Sequence, residues 1–212
     1  MASSKKKWSL AALIGAGALF LLLVLFPAGS WFYLQRGLNY RLAALEELKD
    51  LGRLPADLAF VNQSGSIIDT AFLQGKVLIA GVLSGDRQQD QPIVDRLRKL
   101  HEQFDQRDDV LFLSHLPERE PAALLAEAEA LGIRDTAQWM LLATPEGQLE
   151  SLRAAYHLQD PSEVCLIDTT LMVRKVYRTS ENADMGRLVE HIALIMPFVA
   201  ERELIFKREK EK

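Results

Sequence analysis

The chain has very little cysteine. Its 212 residues include one, Cys165, so no disulfide can form within the chain and a mechanism that needs two thiols is excluded. No Cys-x-x-Cys or His-x-x-x-His pair occurs, and the four histidines lack the spacing of metal ligands. Cys165 stands between Val164 and Leu166, which is typical of a small buried residue with a raised pKa and not of a nucleophile.

Positive charge is outnumbered by negative charge outside the N-terminal segment. Residues 36–212 hold all 29 acidic residues but 22 of the 25 basic ones, which leaves this part of the chain with a net charge of −7. Proteins that bind nucleic acid need a basic surface, so nucleic acid is excluded as a partner. A phosphate-binding loop is missing as well, because Gly15-Ala16-Gly17 lies inside an apolar run.

One long segment carries no charge. Residues 8–34 follow three lysines and end in the aromatic residues Trp31, Phe32 and Tyr33. About 20 helical residues cross the ~30 Å hydrocarbon layer, so the segment predicts a transmembrane helix in contact with lipid. The lysines place the N-terminus in the cytoplasm and the chain after Arg36 on the extracytoplasmic side of the cytoplasmic membrane. The alternative is a cleaved signal peptide, whose apolar core of ~7–15 residues is shorter.

The composition divides the chain into five parts. After the anchor, a helical or loosely ordered stalk is expected to end at Gly52 and Pro55. The five parts are a cytoplasmic N-terminus (1–7), the transmembrane anchor (8–34), the stalk (35–53), an α/β domain (54–198) and a charged C-terminal tail (199–212).

Strand and helix patterns alternate within the predicted domain. Three apolar runs are typical of buried parallel strands: KVLIAGVL, DVLFLSHL and WMLLAT. The helix after the first run is predicted to have Pro92 in its first turn, with an inward face of Ile93, Leu97, Leu100 and Phe104. The next helix is predicted from Pro121 to Gly132, with an inward face of Leu124, Leu125, Ala128 and Leu131.

The remaining elements complete a recognisable order. A hairpin that turns at Ser64-Gly65 precedes the alternating part, and a short helix from Leu149 to Tyr156 ends it. The strands EVCLID and LMVRKVYRT follow, and then a helix with an apolar stripe of Met185, Leu188, Val189, Ile192 and Ile195. A βαβ unit that leads into an antiparallel pair and a closing helix predicts a thioredoxin-like α/β fold.

Several residue patterns could suggest a catalytic, metal-binding or glycosylation site, but each has a simpler structural interpretation. Ser114 and His115 suggest a hydrolase, but neighbouring strand residues point to opposite faces and cannot share a proton. The four histidines are expected to be partly exposed residues of helices or strand ends. The Asp105, Asp108 and Asp109 cluster lacks the EF-hand spacing and predicts a solvated turn. The sequon at Asn62 is a weak motif.

Several stretches resemble the Sco/SenC proteins. They include LAFVNQSGSIIDTAFLQGKVLIAGVL, LSHLPEREPAALLAEAEALG, QWMLLATPEGQL, AAYHL and VCLIDTTLMVRKVY, and the similarity extends from Leu54 to Pro197. The most specific matches are Gly75-Lys76, Pro117-Glu118-Arg119, Trp139 and Leu166-Ile167-Asp168. The resemblance implies a membrane-anchored thioredoxin-like domain that handles copper in cytochrome c oxidase assembly.

The departures from this family concern its copper site. The family has Cys-x-x-x-Cys-Pro at the opening of the first long helix and a histidine before a late strand. Alignment on Pro92 puts Arg87 and Gln91 at the two thiol positions, and Asp160 falls at the histidine position. Thiolates and imidazole select Cu(I), whereas a guanidinium, an amide and a carboxylate do not. We therefore expect no metal or other cofactor, and an ion pair between Arg87 and Asp160 in place of the site.

Two functional hypotheses follow from the resemblance. The first is a non-catalytic Sco/SenC-like protein, not an enzyme, that acts in the assembly of a respiratory cytochrome c oxidase or related complex or is an accessory subunit of one. The alternative is a copper metallochaperone with an unorthodox ligand set drawn from His115, His157, methionines or a partner protein.

Overall fold

The computed structural model describes residues 10–145 and 147–197, which fall into two compact units divided after Glu46. The described part of the first unit is one helical run, made of α1 (Leu10–Phe20), a π-helical turn (Leu21–Leu25) and α2 (Phe26–Glu46). Its 34-residue stretch Leu13–Glu46 is long and apolar enough to cross a membrane. The helix therefore continues through most of the predicted stalk. The predicted N-terminus 1–7 and tail 199–212 lie outside the described residues.

The second unit contains eight strands and five helices among its described residues. The strands are β1 (Gly52–Arg53), β2 (Ala59–Asn62), β3 (Ile67–Asp69), β4 (Val77–Val82), β5 (Val110–Pro117), β6 (Trp139–Thr144), β7 (Glu163–Ile167) and β8 (Met172–Arg178). The helices are α3 (Thr70–Leu73), α4 (Arg87–His101), α5 (Pro121–Leu131), α6 (Leu149–Ala155) and α7 (Asn182–Ile195).

The strands form one mixed sheet in the order β1-β8-β7-β4-β5-β6-β2-β3. β4 pairs in parallel with β5, and β5 with β6, whereas the other neighbours are antiparallel. The three parallel strands, β4, β5 and β6, are buried along their whole length, apart from Pro117 at the end of β5. Their continuous apolar sequences fit strands that are covered on both faces.

Two hydrophobic clusters lie on the two faces of this sheet. On one face, alternate residues such as Ile79 and Phe112 pack with α4, α5 and α7. On the other face, residues such as Leu78 and Leu113 pack with α3 and α6. The alternation of side chains along a strand produces this division, and the helix–sheet–helix layering confirms the predicted thioredoxin-like fold.

Two details of the predicted helices are wrong. α4 begins at Arg87, five residues before Pro92, because Asp86 caps it by accepting a hydrogen bond from Gln88 N at 2.9 Å. Pro92 therefore lies inside the helix and not in its first turn. In α5, Leu125 is 42% exposed, since it stands beside the stripe of Leu124, Ala128 and Leu131 and not on it.

The segment after Glu46 belongs to the domain and not to a free stalk. Lys49 N and Leu51 N donate hydrogen bonds to carbonyl groups of β8, each at 3.0 Å, and β1 continues this pairing. Glu47 accepts hydrogen bonds from Arg187 and from Lys175, the latter at 2.5 Å. These bonds, first that from Arg187, lower the pKa of Glu47 from 4.5 to about 2.

The predicted β2–β3 hairpin is confirmed at Ser64-Gly65. Gly65 has a φ of +76°, a left-handed conformation that glycine adopts without strain. Asn62 is 5% exposed, and its Oδ1 accepts hydrogen bonds from Ser64 N at 3.0 Å and Ser66 N at 2.9 Å. The sequon asparagine therefore closes the turn from inside the domain.

Candidate functional site

The loop between β4 and α4 is folded back onto the helix by one buried side chain, Asp90. Asp90 is 2% exposed. Its Oδ1 accepts hydrogen bonds from Ser84 N and Ser84 Oγ, both at 2.9 Å, and its Oδ2 accepts one from Gly85 N at 2.8 Å. Three donors satisfy the carboxylate, so its burial leaves no unpaired polar group in the loop.

Two further amides at the start of α4 are also used within the chain. Asp86 N donates to Ser84 Oγ at 3.0 Å, and Gln88 N donates to Asp86 Oδ1. Free amides at a helix N-terminus bind anions and stabilise thiolates. Here the amides of residues 84, 85, 86 and 88 already have acceptors within the loop, which leaves few free donors at the helix entrance for such a ligand.

The predicted ion pair between Arg87 and Asp160 is not formed. Arg87 is the first residue of α4, and its Nε lies 3.7 Å from Oε1 of Glu127 on α5. Arg119 Nη1 lies 3.5 Å from Oε2 of the same carboxylate. Arg87 points towards α5 because of its position on the α4 circumference. Glu127 therefore lies between two arginines and connects the start of α4 to α5.

Asp160 bonds within its own loop instead. Its Oδ1 accepts hydrogen bonds from Ser162 N at 2.8 Å and Ser162 Oγ at 2.6 Å, and these bonds lower the pKa of Asp160. The loop itself is held by Glu163, whose Oε2 accepts hydrogen bonds from Gln159 N at 2.6 Å and Asp160 N at 3.1 Å. The Asp160 side chain is therefore positioned by the turn that precedes β7.

Only one of the three aligned positions reaches the cavity beside the α4 entrance. A cavity of about 550 Å³ joins Asp160 to Gln89, Pro92 and Ile93. Gln91 lines a different cavity of about 520 Å³, next to the end of α5, and its Nε2 donates to Asp95 Oδ1 at 2.9 Å. Arg87 and Gln91, four residues apart, both lie on the side of α4 next to α5, whereas Asp160 faces a different side of the helix, so the three side chains do not converge.

The chemistry around the 550 Å³ cavity does not fit copper. The side chains that line it offer amide, carboxylate, guanidinium and hydroxyl groups but neither sulfur nor imidazole. Cu(I) prefers thiolate, thioether and imidazole ligands. Across the described residues, no three His, Cys, Asp or Glu side chains come together in a way that could hold a metal ion. We derive no metal-dependent step from this site.

Cys165 is buried in β7, as its sequence context predicts. It is 0% exposed, and burial raises the pKa of its thiol. A protonated thiol without access to solvent is a poor nucleophile and a poor metal ligand. Redox or nucleophilic chemistry at this residue is therefore disfavoured by its position.

The arrangement of Ser114 and His115 agrees with the prediction that they do not act together. Ser114 Oγ accepts a hydrogen bond from Trp139 Nε1 at 3.0 Å, on the side of the sheet that packs with α4 and α5. His115 points to the opposite side, where it stacks edge-on against Phe60 with ring centroids 4.6 Å apart. The two side chains share no proton.

The expectation that all four histidines are partly exposed is wrong for two of them. His115 is 0% exposed, and its ring is hydrogen-bonded on both sides, with Nε2 2.8 Å from Tyr156 Oη and Nδ1 3.1 Å from Thr144 Oγ1. Burial lowers the pKa of His115 from 6.5 to about 3. His191 is also 0% exposed, and its Nδ1 lies 2.6 Å from Tyr177 Oη. Bonded partners stabilise both rings inside the core.

Asp90 is the functional-site residue that the sequence analysis did not identify. Its sequence signal is its position on the apolar stripe of α4, three residues before Ile93 and four before Val94. An acidic residue on a core-facing stripe is unusual and indicates a buried, fully bonded carboxylate.

Solved structures with the same arrangement of elements identify the fold, whereas no family model and no curated protein matches the sequence. A SCO1/SenC family lipoprotein from Bacillus anthracis str. Ames superposes with a TM-score of 0.58, over 70% of this chain and 98% of that one, at 23% identity. BsSco, a member of the Sco family of cytochrome c oxidase assembly proteins, gives a TM-score of 0.59 over 71% and 98% of the two chains, at 16% identity. The domain has a Sco/SenC-type thioredoxin fold.

Thiol-disulfide proteins share this fold as well. The thioredoxin domain of a thiol-disulfide oxidoreductase from Bacteroides vulgatus gives a TM-score of 0.53 over 68% of this chain and 98% of that one, at 13% identity. Identities this low relate the folds and not the activities, because one fold carries many functions. The function of this thioredoxin-like domain depends on its own side chains.

Proposed function

We propose that this chain is a membrane-anchored, non-catalytic Sco/SenC-like protein. It acts in the assembly of a respiratory cytochrome c oxidase or a related complex, or is an accessory subunit of one. The observation that carries the proposal is the buried Asp90 carboxylate, which takes up the amides of Ser84 and Gly85 at the entrance of α4. A loop whose amides already donate hydrogen bonds to a side chain of the following helix needs neither a metal nor a disulfide to hold its shape.

The charge and the first helix support the placement of the protein. Residues 8–34 hold no charged side chain and follow three lysines, so the N-terminus lies in the cytoplasm and the domain on the extracytoplasmic side. The domain's net negative charge disfavours nucleic acid. Its partners in this proposal are membrane lipid, through residues 8–34, and a respiratory membrane protein complex.

The side chains also disfavour the alternative of a copper metallochaperone with unorthodox ligands. Of the histidines available to it, His115 uses both ring nitrogens in hydrogen bonds inside the core. Copper binding at either nitrogen requires the loss of the hydrogen bond there, which carries a free-energy cost for the partner left unpaired. His157 is exposed, and among the described residues it belongs to no group of three His, Cys, Asp or Glu side chains that could hold a metal ion.

Affinity capture from detergent-solubilised membranes tests the proposal. The tagged full chain is expected to retain haem-containing oxidase subunits, seen in the optical spectrum of the eluate. As a matched control, residues 1–46 fused to an unrelated domain reveal capture through the helix alone. Recovery of the full chain without any respiratory subunit, or equal recovery with the control, contradicts the proposed role of the domain.

A further inference from the structure

The extracytoplasmic end of α2 carries an exposed leucine stripe. Trp31, Leu34, Leu38, Leu42 and Leu45 are between 41% and 70% exposed. With ~3.6 residues per turn, these five side chains fall within about 80° of the helix circumference. Apolar side chains on one line of a helix indicate a surface that another helix covers.

Most of this stripe lies beyond the hydrocarbon layer. The 34 residues Leu13–Glu46 have a length of about 51 Å at ~1.5 Å per residue, whereas the layer is ~30 Å thick. A span that begins at Leu13 leaves the layer near Phe32, so Leu34, Leu38, Leu42 and Leu45 follow it. Lipid tails do not cover these leucines, and the stripe needs a protein partner.

We propose that this partner is a second copy of the chain, which pairs with α2 as a parallel two-stranded coiled coil over residues 31–46. Two copies with the same membrane orientation must pair in parallel. In the heptad pattern, Trp31, Leu38 and Leu45 take position d and Leu42 takes position a. Gln35 takes the preceding a position, where a polar side chain specifies the register.

The charges beside the stripe favour a copy of the same helix. Arg41 falls at position g on one flank, and Glu46, five residues later, falls at position e on the other flank. In a parallel pair, Arg41 of each helix lies opposite Glu46 of its partner, which makes two attractive pairs. Within the part of the chain that the structure describes, neither residue forms an ion pair, so both are available.

Oxidative cross-linking of the full chain in its membrane tests the pairing. Leu38→Cys and Leu42→Cys place a thiol at the d and a positions, and Ala43→Cys is the matched control on the far side of the helix. We expect disulfide-linked dimer yields at least about fivefold higher for the two stripe variants than for the control, as the heptad geometry requires. The wild-type chain, whose Cys165 is buried, is expected to give no dimer.

Charge reversal tests the register in the Leu42→Cys background. Arg41→Glu alone and Glu46→Arg alone each create like charges and are expected to lower the dimer yield by about fivefold. The double reversal restores the pairs and the yield. Equal yields for Leu42→Cys and Ala43→Cys overturn the proposal, as does an adduct of Leu42→Cys with a different membrane protein without any dimer. Loss of dimer in the double reversal overturns the proposed register.

Discussion

The carboxylate of Asp90 bonds to both the amide and the hydroxyl of Ser84, each at 2.9 Å, and this relationship determines the shape of the β4–α4 loop. A third bond, from Gly85 N, completes the set. The start of α4 is thus held by an internal acceptor, most of whose hydrogen-bonding capacity is used by its own loop.

Removal of this carboxylate is expected to destabilise the domain. Asp90→Ala leaves three donors unpaired in a buried loop, so the free energy of unfolding should fall by about 2–4 kcal/mol. Asp86→Ala, which removes an exposed helix cap in the same loop, should cost about 1 kcal/mol. Urea unfolding of the full chain in detergent micelles measures both, and equal losses for the two variants contradict the importance of Asp90.

The buried His115 predicts a loss of stability in mild acid. Its pKa is 6.5 when unfolded and about 3 in the folded protein, so below pH 6.5 the unfolded chain binds a proton that the folded chain does not. The free energy of unfolding contributed by this residue is therefore constant above pH 6.5 and falls by about 2 kcal/mol between pH 7 and pH 5.

A substitution isolates this contribution. His115→Gln retains a donor and an acceptor but does not ionise, so its unfolding free energy should depend less on pH over the same range by that amount. The pKa of Glu47 is also lowered, but its contribution is lost only as the pH falls through 4.5 and then towards 2. Identical pH dependence of the wild type and His115→Gln between pH 7 and pH 5 is the contrary result.

Cys165 is expected to resist thiol reagents in the folded protein. It is fully buried, and its raised pKa keeps the thiol protonated at pH 8. Alkylation by iodoacetamide should be at least about 100-fold slower in buffer than in urea, since only the exposed thiolate reacts. An added thiol at exposed Ser151, in the variant Ser151→Cys, should react rapidly under both conditions. Fast labelling of Cys165 in the native state disagrees with the buried strand position.

Arg87 should be coupled to Glu127 and not to Asp160. A double-mutant cycle of Arg87→Ala with Glu127→Ala is expected to give a coupling of about 0.2–1 kcal/mol, the range of partly exposed ion pairs. The cycle of Arg87→Ala with Asp160→Ala should be additive. Coupling to Asp160 but none to Glu127, measured by thermal unfolding, indicates a different orientation of the α4 entrance.

Much of the fold could be predicted because burial and periodicity agree along the central strands. KVLIAGVL has the continuous apolar character of a strand covered on both faces, and β4 has that environment. The boundaries of α4 were harder to predict. Proline commonly opens a helix, but a capping aspartate five residues upstream opens this one, with Pro92 in the interior.

The candidate site was less predictable than the fold, since sequence spacing sets the angle between side chains on a helix but not which neighbouring element each side of the helix faces. Arg87 and Asp160 are opposite in charge, yet Arg87 lies on the side of α4 next to α5. Apolar neighbours indicated correctly that Cys165 is buried. The full burial of His115 depends on Thr144 and Tyr156, which are distant in sequence, so local pattern could not reveal it.

The central claim is that the polar groups at the start of α4 hydrogen-bond to one another and that this site does not bind a metal ion. Titration of the purified full chain in detergent with Cu(I), in competition with a colorimetric chelator, tests it most directly. The variant Gln89→Cys/Asp160→His, which places a thiol and an imidazole on the 550 Å³ cavity, provides a matched control that should gain Cu(I) affinity. We expect the wild-type chain to leave all copper with the chelator, whereas stoichiometric removal of Cu(I) from the chelator by the wild type contradicts the account.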